Sequence, residues 1–480
     1  MKKKPNILIL FSDQHNAGVL GSAGHPDIAT PYLDQLASEG VQFDRAYCQN
    51  GICMASRSSM FSGLYPRSLG CFAWERTEVM RQATSMQKTF QQQGYQTVSF
   101  GKRHLHLGCD EGWDIQKGYF PDESVGESYW DWLGERGLQD VFARDWAAEF
   151  GMDPEEKQEI PFALMSARAS DLPEDATMEA WTKQKTVDLL KSRKKDDAPF
   201  FCFSSFYRPH QPYTPLPRYF NRFDRSAWGK GLTEPASLHQ SPSELPPLFQ
   251  EQHAGKNRIW RFDLAREDEQ IYRDGLAAYY ALVEEIDTHV GEILQALEET
   301  GERENTIVIY ATDHGDFAGA HGMLEKAAPG HNIFEDTLRI PLLISWPEHI
   351  EAERRNDGLV ELVDLFPTLM DLCDMPISEQ LEGESIAPYL LRNASVGKPW
   401  IVSENWSQST VITPRYKWGQ WLDTSETIQE RDYRDFGDML FDRVTDPLEL
   451  QNHLQDLPEI QQELSQYLDE WQERFGPIKI

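Results

Sequence analysis

Residues 6–11, Asn-Ile-Leu-Ile-Leu-Phe, are apolar without alternation, the pattern of a central parallel strand covered on both faces. The runs at 95–101, 199–206, 305–312 and 339–346 read as further buried strands, and 41–47 adds another. Helical patterns separate them. Residues 30–40 carry punctuation at both ends, with Thr30 as N-cap, Pro31 at the first position and Gly40 as stop. Further helices are expected near 84–93, over 177–190, over 268–300 with Gly301 as stop, and over 363–374. Strands alternating with helices predict an α/β fold on a mostly parallel sheet sandwiched by helices. Farther along the pattern changes: short apolar segments at 399–403, 411–414 and 416–422 predict a small antiparallel sheet, followed by the run 440–447 and a final helix from about 457. Two domains are therefore expected, a large one over 1–380 and a smaller α+β one over 381–480. Two stretches resist this reading. Residues 110–180 are acidic and aromatic with no clear period, and 214–266 are rich in proline and charge. Long irregular stretches in a compact fold are commonly functional loops, so the first is expected to frame a cleft.

Chemistry-bearing residues fall at the ends of those strands. Asp13, Lys102, His210 and Asp313 each follow the C-terminal end of a buried run. Taken singly each has a structural explanation, as a turn residue, a solvated cation or a packed loop histidine. In open α/β sheets, however, ligands bind in the crevice outside the carboxyl ends of the strands, so residues far apart in sequence can converge there. Convergence of two aspartates with lysine, arginine and histidine points to a metal and an anion.

Composition narrows the classes. With 480 residues, 40% of them apolar, and 14 Trp, the chain can bury a large core. Acidic residues exceed basic ones by 78 to 46, and a net charge of −32 repels nucleic acid and anionic membrane, so neither is expected as a partner. An anionic substrate needs a local positive pocket. No apolar run is long enough to span a bilayer. Met1-Lys-Lys-Lys-Pro leads straight into the first strand, so a cytoplasmic location is expected, or a periplasmic one if a leader has been removed. The six cysteines are irregularly spaced, with neither a disulfide framework nor a Cys-x-x-Cys zinc pattern, and are expected to stay reduced.

One stretch organises the rest. Gly51 gives a break, and the residues from Cys53 to Gly63 suit a short helix that places the Cys53 thiol at its positive end, with Arg57 one turn on along the same face. A lone cysteine is more often packing than chemistry. Here Cys53-Met-Ala-Ser-Arg57 is followed by Ser58-Ser-Met-Phe-Ser-Gly-Leu-Tyr-Pro66, and Cys-x-Ala-x-Arg in this setting resembles the maturation motif of the type I sulfatases, in the alkaline-phosphatase superfamily. Further motifs of that family occur in its order: Asp13-Gln14, Gly101-Lys102-x-His104, Pro209-His210-x-Pro212, Asp313-His314, and Lys326 near a glycine-containing loop.

The resemblance implies an alkaline-phosphatase-like sheet, a sulfate ester hydrolase, and conversion of Cys53 to Cα-formylglycine by a formylglycine-generating enzyme. It implies a divalent cation held by Asp13, Gln14, Asp313 and His314 together with position 53. Gln14 stands where many members carry a second Asp; its amide oxygen can ligate a hard cation but brings no charge. Calcium is the expected ion, with Mn²⁺ or Mg²⁺ as alternatives. By the same resemblance Arg57 orients the hydrated aldehyde, Lys102 and Lys326 hold sulfate oxygens, His104 deprotonates the second hydroxyl to expel sulfate, and His210, with Lys326, protonates the leaving group. Arg103 and His331 are added as pocket candidates, although Arg103 and His106 lie outside the motif and are expected to be exposed. The substrate is expected to be a small sulfated carbohydrate or comparable ester, attacked from its end, because the acidic surface repels a long polyanion over about 8 Å. Two alternatives are a phosphonate or phosphate ester hydrolase on the same scaffold, whose members share the Asp-Gln and Asp-His pairs, and a non-catalytic sulfated-glycan binder with Cys53 unconverted.

Overall fold

The computed structural model describes residues 4–72, 76–105, 108–150, 167–245, 269–326, 333–392, 394–405, 408–422 and 437–476. A nine-stranded sheet runs in the order β4 (Ile115–Lys117), β3 (Gln96–Gly101), β5 (Phe200–Pro209), β1 (Asn6–Asp13), β6 (Thr306–Thr312), β7 (Arg339–Ser345), β2 (Val41–Tyr47), β8 (Arg354–Asn356), with β9 (Val360–Glu361) also pairing β2. Among the described strands of this sheet β7 alone runs against its neighbours, β6 and β2; every other pairing is parallel.

The absence of alternation in the apolar runs has its cause here. Successive side chains of a strand point to opposite faces, and both faces of this sheet are covered. Ile7, Ile9 and Phe11 of β1 pack to one side, with Met60 and Phe61 of the Cys53–Ser62 helix, Phe90 of the Met86–Gln92 helix, and Phe366 and Leu369 of the Leu365–Leu372 helix. Leu8 and Leu10 pack to the other, with Leu33 and Leu36 of the Pro31–Ser38 helix, Leu190 of the Met178–Ser192 helix, and Ile286, Val290 and Ile293 of the 31-residue Glu269–Glu299 helix. Each such side chain removed from water contributes about 1.5–3 kcal/mol, which makes this two-faced core the main source of stability.

A second, antiparallel sheet follows: β10 (Ile401–Glu404), β11 (Gln408–Ile412), β12 (Tyr416–Trp421) and β13 (Met439–Asp442). Val402, Val411, Trp418 and Leu440 pack on Leu464, Leu468 and Trp471 of the Pro458–Phe475 helix. Met439 and Phe441 face the other way and meet Phe317, Met323 and Phe334, which belong to the long excursion between β6 and β7.

Three expectations are corrected. Thr30 precedes the Pro31–Ser38 helix but makes no capping bond to it; its hydroxyl serves Gly21 and Asp34, while Asp287 of the long helix accepts the Leu33 N–H at 2.8 Å. The stretch 110–180 is not wholly irregular: it holds helices Tyr129–Glu135, opened by a Ser128–Asp131 capping box, and Gln139–Phe150. Their aromatic residues form a separate cluster, in which Tyr129, Phe142 and Trp181 are buried together. Arg103, expected at the surface, is buried. Among the described residues, no helix is long and apolar enough to cross a membrane.

Candidate active site

Four adjacent strands end at one edge of the large sheet and deliver the predicted residues. Asp13 closes β1 and Gln14 follows it; Lys102 follows β3, His210 follows β5, and Asp313 follows β6. Close approach of β3 and β5 explains the glycine before Lys102: Gly101 has φ +85°, and a Cβ there would lie 2.0 Å from the Ser205 carbonyl oxygen. Cys53 is the first residue of its helix and is buried. Asn50 holds the approach to it, accepting the Ile52 N–H at 2.8 Å while its amide donates to the carbonyls of Phe72 and Glu404. Ser56 ties the helix to β6, its hydroxyl donating to the Asp313 carbonyl at 2.6 Å.

Arg57 is fully buried at the centre. Its Nε donates to Asp313 Oδ2 at 2.6 Å, Nη2 to Asp13 Oδ2 at 3.1 Å, and Nη1 to the Lys102 carbonyl at 2.8 Å and Ser205 Oγ at 3.0 Å. One guanidinium thus cross-links the ends of four strands, a task its planar fork suits. Lys102 adds a second cation on Asp13, Nζ to Oδ2 at 2.6 Å. Burial alone would raise the Asp13 pKa, but the Lys102 ammonium and the Arg57 guanidinium outweigh it and hold the carboxyl well below the usual range.

With Oδ2 of Asp13 so engaged, its Oδ1 is left buried without a hydrogen-bond partner, and so is His314 Nε2. His314 Nδ1 donates to the Gly315 carbonyl at 2.9 Å, so that in the neutral ring, the form that binds a metal, Nε2 is the lone-pair nitrogen. Ligand atoms of Asp13, Cys53, Asp313 and His314 lie within 4.8 Å of one another. Orphaned buried acceptors cost free energy unless something meets them, and two carboxylates with an imidazole and a side chain at position 53 are a donor set that fits a divalent cation. The Cys53 thiol, despite burial and Asp13, is held well below the usual thiol range by Lys102, Lys326 and a hydrogen bond from His104.

Lys326 occupies the opposite wall. Its ammonium donates to Glu325 Oε1 and to Gln14 Oε1, both at 2.7 Å, and lies 3.4 Å from His210 Nε2. Burial, Lys326 and Lys102 push the His210 pKa well below its ordinary value, so the imidazole is neutral; its Nδ1 donates to the Gln211 carbonyl. Lys102 sits over the ring of Tyr207 at 4.5 Å, and Tyr207 in turn contacts His210 and Trp146, so the 110–180 stretch does reach this edge.

Gln14, His104 and Glu325 all have positive φ, 68°, 48° and 68°. Such left-handed backbone at non-glycine residues costs about 1–3 kcal/mol each and persists where surrounding structure over-determines it.

Arg103 does not join the group. Its Nε donates to Asp110 Oδ1 at 2.8 Å and Nη2 to the Glu123 carbonyl at 2.6 Å, so it braces the loop behind Lys102. His106 and His331 lie outside the described residues. Sequence reasoning passed over Asp316, Glu325 and Gln211, each beside a residue it had chosen. Burial and Glu325 push the Asp316 carboxyl up to about 7, against the hydrogen bonds that it accepts.

A sheet edge that gathers carboxylates, an imidazole, a low-pKa thiol and two ammonium groups is the site of a hydrolase for anionic esters. The sulfatase family matches residues 5–375, and the chain belongs to it: it is a sulfuric ester hydrolase. The family description of the N-sulphoglucosamine sulphohydrolase C-terminal region matches 319–474, starting inside the β6–β7 excursion. An arylsulfatase of Clostridium perfringens is 28% identical over 84% of this chain and 82% of its own. An N-acetylglucosamine-6-O-sulfatase of Bacteroides thetaiotaomicron is 24% identical over 83% of this chain and 73% of its own. Among solved structures, the phosphonate monoester hydrolase of Agrobacterium radiobacter superposes with a TM-score of 0.79 at 22% identity, covering 98% of this chain and 96% of that one.

Proposed function

We propose that this chain is a formylglycine-dependent sulfatase that removes sulfate from a small sulfated carbohydrate with the help of a divalent cation. The observation that carries the reading is the convergence of Asp13, Cys53, Asp313 and His314 within 4.8 Å, with buried lone pairs left unmet beside a low-pKa Cys53. A carbohydrate substrate is supported by the similarity to an N-acetylglucosamine-6-O-sulfatase and by the ring-bearing wall of Tyr207 and Trp146 beside His210.

Asp13, Asp313 and His314, with the Gln14 oxygen, would hold the cation; their mostly hard donors suit Ca²⁺, Mn²⁺ or Mg²⁺, and the family resemblance makes Ca²⁺ the first choice. When bound, the cation would supply positive charge to the sulfate. Oxidised and hydrated, position 53 offers one hydroxyl for attack on sulfur and a second for expelling sulfate afterwards. The residues do the rest. Arg57 pins both aspartates, so their free oxygens keep one orientation. Lys102 and Lys326 supply donors for the sulfate oxygens in a site where water is largely excluded. His104, which hydrogen-bonds to position 53, would take the proton from its second hydroxyl. His210, with the Lys326 ammonium 3.4 Å from its Nε2, would protonate the leaving oxygen.

A second reading, hydrolysis of phosphonate monoesters, is favoured by Gln14 and by the fold similarity to a phosphonate monoester hydrolase. Rates on matched aryl sulfate, phosphate and phosphonate esters separate the two, alongside mass spectrometry of the Cys53 peptide and a panel of sulfated mono- and disaccharides. Faster turnover of the sulfate ester by aldehyde-bearing protein is expected. Phosphonate turnover that exceeds it would transfer the proposal to the second reading.

A further inference from the structure

Gln14 poses a problem that an aspartate in its place would not. The two ends of a carboxamide have the same shape and opposite chemistry, and only the oxygen can face a cation. We infer that Asp316 and Gln211 are positioning residues that lock the Gln14 carboxamide with its oxygen turned toward the cation site. This rests on the metal reading proposed above.

The orientation follows from a chain held at its two ends by groups that can bond in only one sense, the Glu325 carboxylate and the Lys326 ammonium. The Glu325 carboxylate can only accept, so Gln211 turns its amide nitrogen to Glu325 Oε1, at 3.1 Å. That leaves the Gln211 oxygen for Gln14 Nε2, at 3.2 Å. Gln14 Nε2 also donates to Asp316 Oδ2 at 2.7 Å, and both hydrogens of the amide are then used. Its oxygen must lie on the far side, where the Lys326 ammonium, a donor only, meets one lone pair at 2.7 Å and the other stays available. Asp316 is itself anchored from behind, its Oδ1 accepting the backbone N–H groups of Ala318 at 2.7 Å and Glu325 at 3.0 Å. It is a fixed post against which Gln14 is set. All four side chains are buried, so water offers no substitute partner.

The anchoring makes one substitution diagnostic. In Asp316→Asn the new carboxamide must keep its oxygen toward Ala318 and Glu325, because two N–H groups point there. Its NH₂ then faces the NH₂ of Gln14, donor against donor, and Gln14 is driven to invert. In the Gln14→Glu/Asp316→Asn double variant the conflict with residue 316 vanishes, since the glutamate accepts from the new NH₂ and still presents an oxygen forward; the Gln211 oxygen loses its donor there, as it does in the Gln14→Glu single variant.

The test is calorimetric titration of the purified protein and its variants with Ca²⁺ and with Mn²⁺, with no turnover required. Groups that orient metal ligands typically govern affinity by about 10–100-fold, and a loss in that range is expected for Asp316→Asn. The double variant is expected to bind within a few-fold of the Gln14→Glu single variant, a recovery that mere structural damage would not give. Gln211→Met, which removes the weaker acceptor, should cost less than Asp316→Asn and guards against poor folding of the latter. Wild-type affinity in Asp316→Asn, or a double variant as weak as Asp316→Asn, would overturn the inference while the metal reading stands. A wild-type protein that binds neither ion would instead remove the metal reading, and this inference with it.

Discussion

The cluster around Arg57 and the cluster around Glu335 are both buried and both dense in ion pairs, yet they treat their lone pairs differently. Around Glu335 the buried carboxylate oxygens that lack a hydrogen bond, Glu335 Oε2 and Glu449 Oε1, still lie within ion-pair reach of the Lys417 ammonium. Glu335 accepts from Tyr47 at 2.7 Å, from Arg443 at 2.9 Å and from Arg339 at 3.3 Å, while the fully buried Lys417 pairs with Glu449, whose other oxygen accepts the Glu335 N–H at 2.8 Å. Tyr47 belongs to the large sheet, whereas Lys417 lies on β12 and Arg443 just beyond β13, so these pairs join the two sheets. Around Arg57 the same kinds of residue leave Asp13 Oδ1 and His314 Nε2 unmet. A buried charge cluster that closes on itself is a joint; one that stays open at a few atoms is a receptacle.

The comparison can be broken in several ways. The largest effect is expected at the nucleophile: Cys53→Ala or Cys53→Ser should lower turnover on the order of 10³-fold or more with an unchanged melting curve, and full activity in either would end the formylglycine mechanism. Asp313→Ala should abolish cation binding and turnover together. It also strips the fully buried Arg57 of its shortest partner, so a stability loss of about 3–5 kcal/mol in denaturant titration is expected as well. Lys417→Met should cost a similar 3–5 kcal/mol by leaving Glu449 buried and unpaired, but with cation affinity unchanged; a parallel loss of affinity would mean that the joint and the receptacle are one unit.

The pH dependence of the joint is a smaller effect of known sign. Burial raises the Glu335 pKa, but Arg443, Lys417 and Arg339 outweigh it and hold the group well below its ordinary value. Its proton is therefore bound more tightly in the unfolded chain, so the stability that it contributes is present above the unfolded pKa and lost as pH falls below it. Glu335→Gln should flatten the acid side of the stability–pH curve and leave the neutral side comparatively level. The smallest effect concerns reach: a sulfated disaccharide should outperform its parent polysaccharide at matched sulfate, most clearly at low salt, where a net charge of −32 is least screened.

Much of this was legible in the residues, for a physical reason. A strand covered on both faces has no polar positions to confuse its reading, and the residue after its last apolar position is almost forced to the sheet edge, which is how Asp13, Lys102, His210 and Asp313 could be chosen. Arg57 was recognisable from its spacing to Cys53 on one short helix. What failed were contacts that local pattern does not encode. Arg103 looks exposed until Asp110, itself in an aperiodic stretch, folds back on it. The helix Tyr129–Glu135 is masked by aromatic residues that pack on Trp181 and Phe142 rather than along one stripe. Asp316 and Gln211 act only through Gln14, and nothing in a sequence says which way a carboxamide faces.

The apolar contact of Met439 and Phe441 with Phe317, Met323 and Phe334 bears on how this chain can be divided. Asp313, His314, Asp316, Glu325 and Lys326 all ride on the excursion that rests against the small sheet. A chain cut after residue 380 would retain every residue proposed for the chemistry and lose the floor beneath these five. The C-terminal segment is therefore no detachable accessory: in a chimera with a relative, the excursion and the sheet under it have to be exchanged as one piece.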